Sequence, residues 1–243
     1  MTDTSILIVP GQWHSTIHVQ PLLDVLRSRG YQSRAIVLRS VTTHLPRPTW
    51  DDEVSHIHDE INQELENGRD VILLLHSYAG IPGTEALNRL VKADDSQAQH
   101  HQGRLLRVIF FSAHNFPTAF VVDAKKMIGP ANPQFSIDKD DMLLHGLPYE
   151  EFFAPDMGRQ EAQVYVEAIR PAYYIDGGGA ISSEDWKTVP RTIIGCTHDA
   201  AIEKEMQEAM WSEHPEEIVW LETGHSPFAA KPEQIADALL AEL

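Results

Sequence analysis

Short runs of consecutive apolar residues recur along the chain, and most of them precede a segment in which apolar residues follow helical spacing. A continuous apolar run is typical of a strand that is buried on both faces, as in a parallel sheet. We predict strands at residues 6–9, 35–38, 71–75, 108–111, 191–196 and 218–221, and helical patterns at 19–26, 50–65, 79–91, 201–211 and 232–243. This alternation predicts an α/β fold with a mostly parallel sheet of about six strands flanked by helices.

One long segment interrupts the alternation. About seventy residues, from Asn115 to roughly Trp186, separate the fourth predicted strand from the fifth, which is too long for a plain connection. The segment contains helical patterns such as residues 158–169, and its aromatic residues include Phe120, Phe135, Tyr149, Phe152, Phe153, Tyr165, Tyr173 and Tyr174. We therefore predict an inserted helical cap at residues 116–186 over the carboxyl edge of the sheet, with residues 1–115 and 187–243 forming the core.

Composition limits the class of partner. The 243 residues include 19 Lys and Arg against 36 Asp and Glu, which gives a formal net charge of −17. Such a chain lacks the basic face that nucleic-acid phosphates require, so we expect no nucleic-acid partner. Hydrophobic residues make up 42% of the chain, as in globular proteins, yet no run approaches about 18 apolar residues. We therefore expect no membrane-spanning helix and no membrane partner.

The single cysteine, Cys196, cannot form a disulfide within the chain, which favours a reducing compartment. The first residues lack the basic and apolar regions of a secretory signal, so we expect a cytoplasmic protein. Cys196 ends a predicted strand without a sharp turn after it, and we interpret it as a buried structural thiol. His100 and His101 lie in a polar segment and are interpreted as solvated side chains, so no metal site is predicted. The sequence leaves a homodimer open.

A candidate nucleophile follows the most apolar predicted strand. In His76-Ser77-Tyr78-Ala79-Gly80, a serine stands between that strand and a predicted helix. A serine on such a sharp bend has its hydroxyl held above the sheet, and the usual pattern is G-x-S-x-G. Leu75 and Ala79 occupy the two glycine positions, and Leu75 is the larger departure. Ser77 is thus either a nucleophile or only the N-cap of the helix.

Two further candidates follow later strands. Asp199 comes shortly after strand 191–196, and His225 lies in a glycine-containing loop after strand 218–221. At the shared carboxyl edge of the sheet, His225 could act as the base for Ser77, and Asp199 could orient its imidazole. The chain order Ser, Asp, His is one that such triads use. Asp199 could instead cap the helix that follows, and His225 could be an ordinary loop histidine, but loop 112–115 offers no alternative carboxylate.

The turn after the first strand is a candidate oxyanion site. In Pro10-Gly11-Gln12-Trp13-His14, the backbone N–H groups after Gly11 have no helical partner, and we predict that Gln12 and Tyr78 donate to an oxyanion. The turn carries neither G-x-G-x-x-G nor G-x-x-x-x-G-K, so no nucleotide cofactor is expected. Trp13 is either packing or a pocket wall. The candidate substrate contacts are Trp13, Phe120, Phe153 and Trp186.

Taken together, Val-Pro-Gly-x-Trp-His, His-Ser-Tyr-Ala-Gly and Gly-His-Ser-Pro resemble the α/β-hydrolase superfamily. The resemblance is strongest to the compact branch that contains plant methyl-ester esterases, hydroxynitrile lyases and their fungal and bacterial relatives. It covers essentially the whole chain and is weakest in the cap. It implies a triad of Ser77, Asp199 and His225, with an oxyanion hole at the backbone of Gln12 and Tyr78.

The same resemblance discriminates between activities within the branch. The plant lyases carry a lysine after the catalytic histidine, where this chain has Ser226, and His76 before the nucleophile is similar to the esterases. We therefore predict a serine hydrolase that cleaves a small or medium apolar carboxylic ester or lactone through an acyl-enzyme, without a metal or organic cofactor. One alternative is a lyase or isomerase that acts on a carbonyl substrate with the same residues. Another is a ligand-binding, receptor-like protein.

Overall fold

The computed structural model describes residues 4–42, 46–95, 102–118, 134–138, 140, 142–173, 175, 180–213 and 217–241. The strands are β1 (Thr4–Val9), β2 (Gln32–Ala35), β3 (Asp70–His76), β4 (Leu105–Phe111), β5 (Phe135–Ile137), β6 (Met142–His145), β7 (Ala172–Tyr173), β8 (Arg191–Cys196) and β9 (Ile218–Leu221). The α-helices are α1 (Thr16–Ser28), α2 (Trp50–Glu66), α3 (Gly80–Asp95), α4 (Arg159–Ala168), α5 (Lys204–Met210) and α6 (Pro232–Leu240). Short helical turns cover Ser77–Ala79, Tyr149–Phe153 and Asp185–Thr188.

The central sheet has the order β2-β1-β3-β4-β8-β9, and all of its neighbouring strands are parallel. Parallel pairing places the carboxyl ends of β1, β3, β4, β8 and β9 at one edge. The strand order reverses between β1 and β3, because the chain leaves β1 in one direction for β2 and then returns past it. A crevice at such a reversal is where open α/β sheets bind ligands.

Helices cover both faces of the sheet and explain why its inner strands are mainly apolar. On one face, alternate strand residues such as Ile8 and Leu74 pack against α1 and α6. On the other face, their neighbours such as Leu7 and Leu73 pack against α2 and α3. The predicted doubly covered parallel sheet is therefore confirmed. No helix within the described ranges is long and apolar enough to cross a membrane.

The second predicted strand was placed three residues too late. The paired residues of β2 are Gln32–Ala35, which align with Ser5 to Ile8 of β1. The apolar run that suggested a strand continues beyond it, where Ile36 and Leu38 are buried in the core next to α2. An edge strand tolerates polar residues, so here apolar character marks burial and not strand pairing.

The inserted segment contains a small sheet that its sequence did not reveal. Strands β5, β6 and β7 pair antiparallel in that order, and the Tyr149–Phe153 turn and α4 lie between β6 and β7. The predicted helix at 158–169 corresponds to α4. The three strands are two to four residues long, which is too short to produce a recognisable period-two pattern.

Candidate active site

Ser77 sits at a strained bend directly after β3. Its φ is +55°, in the left-handed region that residues other than glycine rarely adopt. Such strain persists only where the surrounding structure enforces it, and it is concentrated at functional sites. A Cβ added to Gly11 would lie 2.7 Å from the Ser77 Cβ and 3.1 Å from its Oγ. The turn after β1 therefore packs directly against the Ser77 side chain.

The bend keeps its close packing although both usual glycine positions are substituted. A Cβ on Gly80 would lie 2.3 Å from the His114 carbonyl oxygen, and one on Gly83 would lie 2.3 Å from the Leu75 Cδ2. The glycines that permit close approach are thus at positions 80 and 83, further along the helix. Leu75 is accommodated because Gly83 leaves space for its side chain.

Asp199 and His225 are in direct contact at the carboxyl edge of the sheet. The His225 Nδ1 lies 2.7 Å from the Asp199 Oδ2, and both side chains are buried. The Asp199 Oδ1 accepts the backbone N–H groups of Ala201 at 2.8 Å and Ile202 at 2.7 Å. Asp199 therefore holds the following turn with one oxygen and His225 with the other, so the capping alternative and the triad role are compatible.

Ser112 is a site residue that the sequence analysis missed. It follows β4, is buried, and has a φ of +38°. Its Oγ donates to the Asp199 Oδ2 and lies 3.4 Å from the His225 Nδ1. The only sequence signal was its position immediately after a predicted strand.

His76 connects two loops of the site. Its Nδ1 accepts the Gly11 N–H at 3.1 Å, so its Nε2 carries the proton and donates to the His225 carbonyl at 3.1 Å. Burial, followed by the neighbouring His225 and His14, holds the pKa of His76 well below its ordinary value of 6.5. Because the Gly11 N–H is committed to His76, the next N–H in the turn is that of Gln12.

His14 fixes the shape of the turn that precedes it. The His14 N–H donates to the Gly11 carbonyl at 3.2 Å, and Trp13 within this turn has a φ of +65°. The His14 Nδ1 donates to the Gln12 carbonyl at 2.9 Å, and its Nε2 accepts from the Ser226 Oγ at 2.9 Å. His14 thus joins the turn after β1 to the loop that carries His225, and burial lowers its pKa well below 6.5.

Comparison with known proteins identifies the family. Residues 6–238 match the family model described as the alpha/beta hydrolase family. The chain belongs to the α/β-hydrolase family. It is 25% identical over 241 residues to the α/β hydrolase nvfD of Aspergillus novofumigatus, covering 97% of this chain and 94% of that relative. It is 24% identical over 271 residues to methylesterase 1 of Arabidopsis thaliana, covering 96% and 94%.

Solved structures share the fold of this α/β-hydrolase. Tomato methylketone synthase I complexed with 2-tridecanone superposes with a TM-score of 0.78 at 17% identity, covering 100% of this chain and 98% of that one. Polyneuridine aldehyde esterase superposes with a TM-score of 0.76 at 17% identity, covering 98% of both chains. At these identities the similarity demonstrates a common fold.

Trp13 joins the core of the α/β-hydrolase to its inserted segment. Its indole N–H donates to the Leu143 carbonyl at 3.0 Å, and its own carbonyl accepts the Arg170 N–H at 3.0 Å. The ring stacks on Phe135 at 5.5 Å and on Phe152 at 5.9 Å between centroids. In this structure Trp13 packs the two parts together, and a substrate contact remains a prediction.

The other predicted substrate contacts lie in different surroundings. Phe153 is buried against His18 and Tyr165, each 6.0 Å away between ring centroids. Its neighbour Phe152 packs on His225, with 5.6 Å between the ring centroids. The substrate contact predicted for Phe153 stays a prediction. Phe120 lies outside the described residues.

Trp186 packs against two aromatic residues of the core. Its ring contacts Phe110 at 5.3 Å and Trp211 at 6.3 Å. It also lines a cavity of about 280 Å³ together with Asn115 and Met210. Its role as a substrate contact stays a prediction.

Asp156 of the inserted segment holds the loop that carries His225. The Asp156 Oδ2 accepts the Gly224 N–H at 2.7 Å, and the Oδ1 lies 2.6 Å from the Lys231 Nζ. A Cβ on Gly224 would lie 2.5 Å from the Ala154 carbonyl oxygen, so the two segments approach closely. The Ser226 N–H also donates to the Phe152 carbonyl at 2.9 Å. The inserted segment therefore supports the position of His225.

Two further ionisable groups border the site. The His114 N–H donates to the Ser77 carbonyl at 3.0 Å, and burial, followed by the nearby His225, lowers the pKa of His114 to about 4. Burial, followed by the charge of Asp199, raises the pKa of the Cys196 thiol. A buried thiol of this kind is a poor nucleophile.

In the described part of the chain, no group of three or more His, Cys, Asp or Glu residues could hold a metal ion.

Proposed function

We propose that this α/β-hydrolase is a serine hydrolase that cleaves a small or medium apolar carboxylic ester or lactone. The observation that carries the proposal is the buried Asp199–His225 pair, at 2.7 Å, beside the strained bend that presents Ser77. A pair of this kind orients an imidazole and stabilises its charged form. The names of the relatives, methylesterase 1 and polyneuridine aldehyde esterase, add support for an ester substrate.

The proposed reaction begins with attack by Ser77 on the substrate carbonyl. His225 takes the serine proton at Nε2, because its Nδ1–H is held by Asp199. The tetrahedral oxyanion is bound by the backbone N–H groups of Gln12 and Tyr78, and each such donor is worth about 10²–10³ in rate. His225 then protonates the leaving alcohol. Finally, a water molecule that His225 deprotonates attacks the acyl-enzyme, and the acid is released with Ser77 reprotonated.

Aromatic surroundings favour an apolar substrate. Phe152 packs on His225, and Trp13 and His145 continue the same aromatic cluster. We propose that the inserted segment closes over the carboxyl edge and excludes bulk water, which strengthens the electrostatic interactions inside the site.

Two measurements test the proposal. One is labelling with a fluorophosphonate followed by peptide mapping, and the other is turnover of a panel of esters. A single adduct on Ser77 is expected, and Ser77→Ala should reduce ester hydrolysis by about 10⁴- to 10⁶-fold. Ser28→Ala, which removes an exposed hydroxyl on α1, is the matched control and should retain both labelling and turnover. Undiminished turnover by Ser77→Ala would refute the mechanism. Labelling of Ser77 without turnover of any ester would favour a lyase or isomerase.

A further inference from the structure

We propose that Ser112 is a positioning residue that shares the Asp199 carboxylate with His225 and thereby sets the pH range in which His225 can act as a base. The inference rests on the proposed function of Asp199 and His225. Ser112 itself does not touch the reacting atoms in this scheme. It acts through Asp199.

The hydrogen bonds of Asp199 are complete only when Ser112 is included. The Oδ1 accepts two backbone N–H groups, those of Ala201 and Ile202. The Oδ2 accepts the His225 Nδ1–H at 2.7 Å and the Ser112 hydroxyl. A carboxylate has about four lone-pair positions, and these four donors occupy them. Since the His225 Nδ1 carries a proton, the Ser112 hydroxyl has the carboxylate as its acceptor.

The sheet positions Ser112 for this contact. Strands β4 and β8 are parallel neighbours, and the Ser112 N–H extends their pairing by donating to the Ile194 carbonyl at 2.8 Å. The φ of +38° then turns the chain immediately after this bond. Ser112 is strained and only 2% exposed, and its hydroxyl contacts the Asp199 carboxylate just after the adjacent strand β8, so the surroundings enforce its placement.

Sharing the carboxylate changes the proton affinity of the imidazole. A charge-assisted hydrogen bond from Ser112 stabilises the anion and takes up part of its charge. The stabilisation that Asp199 can offer to a protonated His225 is correspondingly smaller. The Ser112 hydroxyl should therefore keep His225 neutral, and able to accept a proton, at lower pH than Asp199 alone would permit.

The other ionisable groups around His225 do not obscure this effect above mildly acidic pH. Among the described residues, the groups next to it on neighbouring elements are His14 after β1, His76 at the end of β3, His114 after β4, and Asp156, which binds the Gly224 N–H. The pKa values of His14 and His76 are held well below 6.5 by burial, and that of His114 is lowered to about 4. Asp156 is paired with Lys231.

The test compares Ser112→Ala and Ser112→Gly with the control Thr197→Val. Both Ser112 variants remove the hydroxyl, but glycine accepts a positive φ without strain. The Thr197 hydroxyl is buried near Asp199 and, among the described residues, has no hydrogen-bond partner, so its isosteric removal should leave the profile unchanged. The readouts are the pH dependence of kcat/KM and the NMR titration of the His225 imidazole.

Both Ser112 variants should move the midpoint of the acidic limb upward by about half a pH unit. Superposition of both profiles on the wild type would overturn the proposal. A loss of kcat/KM that is the same at every pH, with no shift of the midpoint, would also overturn it. So would a change that appears in Ser112→Ala but not in Ser112→Gly, since either result would show a purely structural effect.

The NMR titration separates this proposal from the proposed function because it requires no substrate. A shifted His225 midpoint in a protein that hydrolyses no ester would support the role of Ser112 and refute the ester hydrolase. Ester hydrolysis together with an unshifted His225 midpoint would support the ester hydrolase and refute the role of Ser112.

Discussion

Individual histidines around the candidate site accept a hydrogen bond at one ring nitrogen and donate one from the other. His76 accepts from one backbone group and donates to another, and His18 does the same, accepting the Ser15 N–H at 2.9 Å and donating to the Tyr165 carbonyl at 3.0 Å. Such rings must be neutral, because in a doubly protonated imidazole both nitrogens carry hydrogen and neither can accept a hydrogen bond. Each histidine therefore joins two segments that are distant in the sequence.

Replacing His76 should test this connecting role. His76→Leu leaves the Gly11 N–H and the His225 carbonyl buried without their partner, and each lost bond costs about 1–3 kcal/mol. We expect lower stability and a fall in kcat of about 10- to 100-fold, because the turn proposed to bind the oxyanion and the proposed base His225 both lose a hydrogen bond that holds them. Urea unfolding and steady-state kinetics measure these effects. His76→Gln, whose amide can both donate and accept, should lose much less, and equal losses for Leu and Gln would contradict the explanation.

At the level of elements, the contact between β3 and α3 is set by a large and a small residue that face each other. Leu75 fills the space that Gly83 leaves, since a Cβ at Gly83 would lie 2.3 Å from one Leu75 methyl carbon and 2.7 Å from the other. The larger residue is on the strand and the glycine is on the helix. The orientation of Ser77 depends on this contact because Ser77 connects the two elements.

A double-mutant cycle should reveal this complementarity. Gly83→Ala should destabilise the protein by about 1–3 kcal/mol through overpacking. Leu75→Ala should cost about 2–5 kcal/mol through the cavity it creates. The double variant should be less destabilised than the sum of the two, by about 0.5–3 kcal/mol, because the new methyl group occupies part of the cavity. Additive free energies of unfolding would show that the two residues do not compensate each other.

For the molecule as a whole, buried neutral histidines predict sensitivity to acid. The pKa values of five histidines are lowered, mainly by burial; they are His14, His18, His56, His76 and His114. Each of them binds a proton more readily in the unfolded state. Their contribution to stability is therefore present above about pH 6.5 and is lost as the pH falls towards the lowered values.

The free energy of unfolding should accordingly fall by several kcal/mol between about pH 7 and pH 4. His114, with its pKa of about 4 against 6.5, accounts for roughly 3 kcal/mol of this. Glu53 changes the pH dependence of stability in the opposite direction, since burial raises its pKa, but it is one group against five histidines. Urea titrations across this range measure the effect. His76→Gln should show a shallower pH dependence, and a constant free energy from pH 7 to pH 4.5 would contradict the expectation.

Local sequence patterns determined the architecture and selected the three candidate residues of the proposed chemistry, each by its position after a strand. Apolar runs followed by helical spacing predicted the parallel sheet because buried strands and amphipathic helices each have their own periodicity. Ser77, Asp199 and His225 could be chosen because each comes shortly after a strand, and parallel strands end at a common edge. Periodicity could not position β2 or reveal β5, β6 and β7, since edge and very short strands carry no such pattern.

Only the tertiary structure decided which side chains meet across that edge. The Ser112 hydroxyl reaches Asp199 across 87 positions of sequence, and His76 connects residues 65 and 149 positions away. These contacts follow from the adjacency of β4 and β8 and from the direction in which each side chain leaves its turn. Local spacing carries neither kind of information, because hydrogen-bond partners are selected by distances in space that the whole fold establishes.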